Sequence, residues 1–400
     1  MTLTAELADL SARHLYRRRR CCDSAQAPRM QVEGRSLLTF CSNDYLGLAG
    51  HPQVVHAFQH AADDFGVGSG ASHLINGHSR YHQQLEEALA DFVERPRALL
   101  FSTGYMANLG VISALAGRGE QILCDRLNHA SLIDGARLSG ARMRRYRHLD
   151  TSDLERLLGS PGADTSQPIA LIASDGIFSM DGDCAPVPEL VAAAQRAGAW
   201  LLIDDAHGLG VTGPGGRGTL ASFGLDDQQV PILVGTLGKA FGTFGAFVAG
   251  SEALIETLIQ RARSYLYTTA LPPAVAAASL AALELVQRED WRREQLQALI
   301  AQFRQGAAEL GLRRLDSNTP IQPLLAGETA QALDWSQRLE AQGLLVPAIR
   351  PPTVPQGQAR LRISFSANHQ PADVERLLDA LAGLPDHPSP TETPTPNKAS

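Results

Sequence analysis

Lysine is nearly absent from this chain: of 35 basic residues only Lys239 and Lys398 are lysines, and the rest are arginines. Chemistry that needs an amine nucleophile must use one of these two or the chain terminus. Lys239 stands in Thr236-Leu237-Gly238-Lys239-Ala240-Phe241-Gly242, a glycine-bearing turn just after the apolar run PILVG. An amine there can approach a ligand closely and, once desolvated, sheds its proton readily enough to attack a carbonyl. Upstream, the apolar strand AWLLI ends in Asp204-Asp205-Ala206-His207-Gly208. A carboxylate at such a strand end faces the crevice where α/β proteins hold ligands and can pair with a protonated ring nitrogen. The imidazole of His207 can reach a neighbouring oxygen. Together these outline a pyridoxal 5'-phosphate site, with Lys239 for the aldehyde, Asp204 for the pyridinium and His207 for the ring oxygen.

Such a cofactor also needs a phosphate cradle. Ser102-Thr103-Gly104-Tyr105-Met106 follows the strand RALLF and opens a helix, whose N–H groups and positive dipole end can hold a dianion. Thr236 and Thr268 offer hydroxyls for the same group. His129, at a helix start after the strand QILCD, can stack on a planar ring and pass protons. Each feature also has a plainer use: Lys239 as a surface lysine, D-D-x-H as a strand-end turn, Ser102–Met106 as a helix cap, His129 as a capping residue. Gly208-Leu209-Gly210-Val211-Thr212-Gly213 fits a dinucleotide-binding pattern, but Pro214-Gly215-Gly216 follows where a helix would have to open. His56 and His60 lack a third ligand, so no metal site is expected. Arg17 to Arg20 form a basic run that serves as a solvated helix end or as a receptor for an acidic small substrate.

The elements that must position these residues alternate. From Leu85 onward helical patterns and short apolar runs succeed one another (LEEALADFV then RALLF, PELVAAAQRAG then AWLLIDD), which predicts a mostly parallel sheet covered on both faces. PILVGT and GAFVAG lie too close together for a crossover helix. The expected division is an N-terminal helix from Leu3 to about Arg20 with short strands (1–45), a large α/β domain (46–285), a small C-terminal α+β domain (286–385) and a disordered tail (386–400). A long helical stretch is expected from Ala274 to about Leu310, and a strand near LRRL. Lys398 falls in the tail, a poor place for a preorganised site. With 400 residues, 44% hydrophobic content and a net charge of -7, the chain reads as a well-cored globular protein and not as a phosphate-backbone binder. Five cysteines without a C-x-x-C pair, no secretory signal pattern and no apolar run long enough to span a bilayer lead us to expect a cytoplasmic protein.

Several motifs in order carry a resemblance: Ser42-Asn43-Asp44-Tyr45-Leu46-Gly47-Leu48, Gly68-Ser69-Gly70, His78-Ser79-x-x-His82-x-x-Leu85-Glu86, Ser179-Met180-Asp181-Gly182-Asp183, Asp204-Asp205-Ala206-His207-Gly208 and Thr236-x-x-Lys239. From about residue 15 to 384 the chain resembles the α-oxoamine synthases, pyridoxal-phosphate enzymes of fold type I with the aspartate-aminotransferase architecture. The family joins an amino acid to an acyl thioester with loss of CO2. Ala71-Ser72-His73, where glycine-using relatives commonly have Gly-Thr-Arg, and Arg350-Pro351-Pro352-Thr353 resemble the members that join L-alanine to a pimeloyl thioester, on coenzyme A or an acyl carrier protein, in biotin synthesis. The alternative is a glycine-using sister enzyme.

The resemblance implies a role for each matching residue. Lys239 forms the Schiff base and removes the α-proton of the amino acid, Asp204 keeps the ring nitrogen protonated, His207 bonds the phenolic oxygen, Ser179 supports the cofactor and His129 stacks on it. Gly104, Tyr105 and Thr236 hold the phosphate, with Thr268 supplied by the second subunit of a homodimer. Arg362 pairs with the amino-acid carboxylate, Asn43 belongs to the substrate side, and Arg17 and Thr353 contact the acyl substrate.

Overall fold

The computed structural model describes residues 2–159 and 167–385. The tail expected from Asp386 onward, with Lys398, lies outside the described residues. The chain forms two compact units, one from the described residues of Met1–Tyr45, Met180–Asp183 and Trp291–Ser400, the other from those of Leu46–Ser179 and Cys184–Asp290.

The second unit is built on a seven-stranded sheet in the order Arg97–Phe101, Ala246–Gly250, Ile232–Thr236, Trp200–Asp204, Ile169–Asp175, Gln121–Asp125, Arg142–Tyr146. All neighbours are parallel except Ala246–Gly250, which runs antiparallel to both of its partners. The reversal follows from chain length: only residues 237–245 separate it from the preceding strand, and a parallel return needs a crossover of about a dozen residues or more. Every residue of Gln121–Asp125 and Ala246–Gly250 is buried, as a sheet covered on both faces requires. Leu99, Val111, Ile122, Leu171, Leu202 and Val248 belong to one continuous core that also takes in the helices Gly104–Leu115 and Ala130–Ser139. Of the parallel-paired strands four end in Asp125, Asp175, Asp204 and Thr236, the edge strand ending in Tyr146, and Asp175 lies in register opposite Asp204.

The first unit carries two three-stranded sheets, Arg29–Val32 with Arg35–Thr39 and Leu344–Leu345, and Ile321–Gly327 with Ala359–Ser364 and Ala348–Ile349. Its core includes Phe40, whose ring stacks on His369 at 4.7 Å and meets Phe365 edge-on at 5.7 Å. The short segment Met180–Asp183 joins this unit through the ion pair of Asp181 with buried Arg360 and through Gly182, whose carbonyl accepts from Ser317 and Thr319. Gly182 has φ +70°, and a Cβ there would lie 2.5 Å from the Ile321 carbonyl oxygen, so only glycine serves.

Three expectations differ from the structure. The N-terminal helix stops at Ala12, not near Arg20, and His14 follows with φ 57°. None of its residues is buried, so it lacks the packed face that usually sustains a helix; Arg20 instead reaches Glu340 at 2.7 and 2.9 Å and Glu33 at 3.1 Å. The stretch from Ala274 to Leu310 is two helices, Pro273–Arg288 and Trp291–Glu309. The charged Glu289-Asp290 step between them leaves helical geometry, and aspartate competes for backbone donors. Near LRRL there is only an isolated bridge, Arg314 to Leu324.

Candidate active site

In the second unit, Lys239 lies in the loop between Ile232–Thr236 and Ala246–Gly250, half-buried, with Nζ 2.9 Å from Nε2 of buried His207. His207 sits in the turn just past Trp200–Asp204, and Asp204 ends that strand with only 5% exposure. One Asp204 oxygen accepts the Ala206 N–H at 3.1 Å and the other accepts Nδ2 of Asn108 at 2.6 Å. His129 caps the helix Ala130–Ser139 and accepts the Ser131 N–H at 3.3 Å, so its capping use and its place near Asp204 coexist. Burial pushes the His129 imidazole below its ordinary value, Asp204 pulls it back up and Lys239 lowers it, which puts all three within electrostatic reach of one another.

The strand-end turn at Ser102–Met106 opens the twelve-residue helix Gly104–Leu115, where the Thr103 hydroxyl accepts the Met106 N–H at 3.1 Å. A Cβ added at Gly104 would meet nothing within 4 Å, leaving the helix end open to a ligand. Tyr105 is exposed and its hydroxyl donates to Asp134 at 2.6 Å. The Thr236 hydroxyl accepts the Gly238 N–H and donates to the Gly245 carbonyl at 3.1 Å, tying together the loop that carries Lys239. Ser179 and Thr268 are half-buried in the same unit. An aldehyde-bearing phosphorylated pyridine needs an amine, a buried carboxylate, an imidazole and an open helix N-terminus, and this unit holds all four.

The first unit holds the residues expected on the substrate side. Arg362 is buried, donating to Ser364 Oγ at 2.8 Å and to Asn43 Oδ1 at 3.2 Å, and the Tyr45 hydroxyl donates to the same Asn43 oxygen at 3.2 Å. Arg17 and Thr353 are both exposed and line one cavity of about 290 Å³ with Tyr16, Arg18, Ile349 and Arg350. Arg350 donates to the carbonyls of His14 and Tyr16 and thereby fixes the path of the chain into the arginine run.

Sequence reasoning passed over several buried residues. Asn108 and Ser131 link Asp204 to His129, and Asp175 accepts the His129 N–H at 2.7 Å. Asn108 is a carboxamide in the otherwise mostly apolar run MANLGVISALA, and that incongruity was its one signal. Asp205 accepts the Thr219 N–H and hydroxyl, both at 2.6 Å, and a Cβ at Gly208 would fall 2.1 Å from its oxygen. The glycine pattern from Gly208 thus serves to wrap the chain around Asp205. His73, by contrast, was singled out in the sequence with Ala71 and Ser72; it is buried against Tyr265, with ring planes 13° apart, and burial pushes its imidazole down to about 3, so it is neutral.

Residues 35–381 match the family described as Aminotransferase class I and II. The chain belongs to the class I and II aminotransferase family. Within the family it is similar to the 8-amino-7-oxononanoate synthase of Nitrosococcus oceani, 61% identical over 94% of this chain and 99% of the relative. Among solved structures, an SPT described with its PLP internal aldimine superposes with TM-score 0.89 at 33% identity, covering 96% of each chain. The 8-amino-7-oxononanoate synthase of Francisella tularensis superposes with TM-score 0.75 at 33% identity, covering 86% of this chain and 97% of that one. The strand-end constellation around Lys239 therefore sits on an aminotransferase-family α/β fold of type I.

Proposed function

We infer that the protein is a pyridoxal-phosphate-dependent acyltransferase that condenses L-alanine with a pimeloyl thioester, releasing CO2 and the free thiol and yielding 8-amino-7-oxononanoate for biotin synthesis. The observation that carries this reading is the Lys239–His207 contact of 2.9 Å beside buried Asp204, in a chain 61% identical over 376 residues to an 8-amino-7-oxononanoate synthase. Bound at these residues, pyridoxal 5'-phosphate supplies an electron sink for a carbanion at the amino acid's α-carbon.

The chain's own residues do the rest. Lys239 would hold the cofactor, and its Nζ would serve as the base that takes the α-proton of alanine and returns one to the product carbon. Asp204, desolvated and anchored by Asn108, keeps a proton on the ring nitrogen. His207 donates to the ring oxygen, Ser179 supports the ring and His129 covers it. Gly104, Tyr105, Thr236 and Thr268 are assigned to the phosphate. Arg362 takes the alanine carboxylate, a task that suits a guanidinium already oriented by Asn43 and Ser364. Arg17 and Thr353 receive the acyl chain, whose far carboxylate gives the basic run a partner.

A homodimer is part of the proposal: Val55, Phe58 and Phe244 are exposed apolar side chains around one cavity, a surface suited to a second copy. Sedimentation of the active enzyme as a monomer would contradict it. Among the described residues no helix is long and apolar enough to cross a membrane, and a cytoplasmic location is the proposal that goes with a biosynthetic enzyme. A substrate panel tests the reaction, pairing L-alanine with pimeloyl thioesters of coenzyme A and of acyl carrier protein, and glycine with acetyl and succinyl thioesters. Turnover is expected with alanine and pimeloyl thioester; turnover with glycine alone would sink the reading.

A further inference from the structure

A line of hydrogen bonds runs from buried Asp204 through buried Asn108 and Ser131 to the more exposed His129, and neither Asn108 nor Ser131 has been given a role toward His129. Asn108 is fully buried, and its amide nitrogen has two hydrogens and two partners: Asp204 Oδ2 at 2.6 Å and Ser131 Oγ at 2.8 Å. The amide cannot be turned over, because its oxygen would then face a carboxylate oxygen at 2.6 Å. Ser131, 1% exposed, accepts from Asn108, so its own hydrogen is left for His129 Nδ1 at 2.7 Å. The Ser131 backbone N–H points at the same ring nitrogen at 3.3 Å and can only donate. Two donors aimed at Nδ1 require a lone pair there.

We propose that Asn108 and Ser131 are positioning residues that transmit the orientation imposed by Asp204 to His129, holding its imidazole in the tautomer with Nδ1 as acceptor and the hydrogen on Nε2. His129 then offers bound substrate a hydrogen-bond donor, suited to a carboxylate or thioester oxygen. Burial, which lowers the basicity of this ring, acts in the same direction by keeping it neutral. The geometry carries a cost that a purely structural role would avoid: Asn108 Oδ1 is buried without a hydrogen-bond partner among the described residues. An asparagine whose only goal was packing would not leave its acceptor unmet to spend both hydrogens on this line.

The inference rests on the proposed reading of Asp204 and His129 for its bearing on the reaction. The proton position itself is read without substrate, so failure here leaves the substrate panel's result intact. Neutron diffraction from the holoenzyme, or solid-state NMR of protein labelled with 15N in histidine and assigned with His129→Asn, tells a ring nitrogen that bears hydrogen from one that does not. Hydrogen on Nε2 and none on Nδ1 is expected, and hydrogen on Nδ1 in the wild type overturns the inference without any variant. In Asn108→Asp one side-chain oxygen faces Asp204, with which it must share a proton, and the other faces Ser131, whose hydroxyl turns toward it and no longer donates to the ring. Nδ1, left with only the Ser131 backbone N–H at 3.3 Å, should then carry the hydrogen in part of the molecules, and a single Nε2–H tautomer in the folded variant refutes the Asn108 link. Ser131→Ala should give a mixture of tautomers and about a tenfold loss of kcat; a single Nε2–H tautomer there would remove Ser131 from the line.

Discussion

The two ends of the proposed reaction are built on opposite principles. Around Lys239 every group is tied: His207 to the amine, Asn108 to Asp204, Ser131 to His129, Asp175 to the His129 backbone, most of them nine-tenths buried or more. Around Arg17 the side chains are exposed on an irregular segment, and the cavity is walled by one chain path pinned through Arg350. Covalent chemistry at one carbon gains from groups fixed before the ligand arrives, because orientation costs are then met during folding. Recognition of a distant carboxylate needs only positive charge in reach, and several adjacent arginines supply it without fixed geometry. The first region should thus respond to substitution steeply and to pH, the second shallowly and to salt.

Lys239→Ala breaks the first region most severely. Turnover of alanine and pimeloyl thioester should fall by at least about three orders of magnitude, and the variant should show no Schiff-base absorbance that borohydride abolishes. Among the described residues there is no other lysine to take over, so near-normal turnover would contradict the site assignment. Burial also makes this unit pH-sensitive through Glu86, which accepts the Leu100 N–H at 2.9 Å and whose carboxyl is pushed up to about 7 mainly by desolvation. Its folded value lies above its unfolded one, so the folded state binds the extra proton and stability falls as pH rises from about 4.5 through 7. Glu86→Gln has no proton to lose. Urea unfolding at pH 8 should find the variant more stable by up to about 3 kcal/mol and the gap closed at pH 4.5; an equal gap at both would place the effect elsewhere.

The same contrast explains what could be read from the sequence. Apolar runs alternating with helical patterns announce a parallel sheet, and the shortness of the loop around Lys239 announces the reversed strand. The strand-end placement of Lys239, Asp204 and His207 was legible because it is a local property. Asn108 and Ser131 were not, since their meaning depends on partners 96 and 23 residues away, and a polar residue near a helix start reads equally well as a cap. The N-terminal helix was overextended because propensity alone cannot tell that this segment has no packed face to sustain it. The split at Glu289-Asp290 was missed because helical residues flank it on both sides and only a change of unit separates them.

Arg362 tests the boundary between the two styles, being buried like the first region but carried in the unit of the second. Arg362→Lys keeps the charge and loses the planar fork, and the KM for L-alanine should rise about thirtyfold with the KM for the thioester little changed. The arginine run gives the smallest effects and the sharpest internal control. Arg17 lines the cavity with Thr353, so Arg17→Ala should raise the KM for the pimeloyl thioester about fivefold, a difference that shrinks as salt is added. Arg20, three residues on, is held by Glu340 and Glu33 with less than a third of its side chain exposed. Arg20→Ala should therefore cost about 1 kcal/mol of stability and leave the thioester KM alone. If the two variants exchanged these effects, the cavity would be misassigned and the acyl carboxylate would have to be met by the end of the run that is paired in this structure.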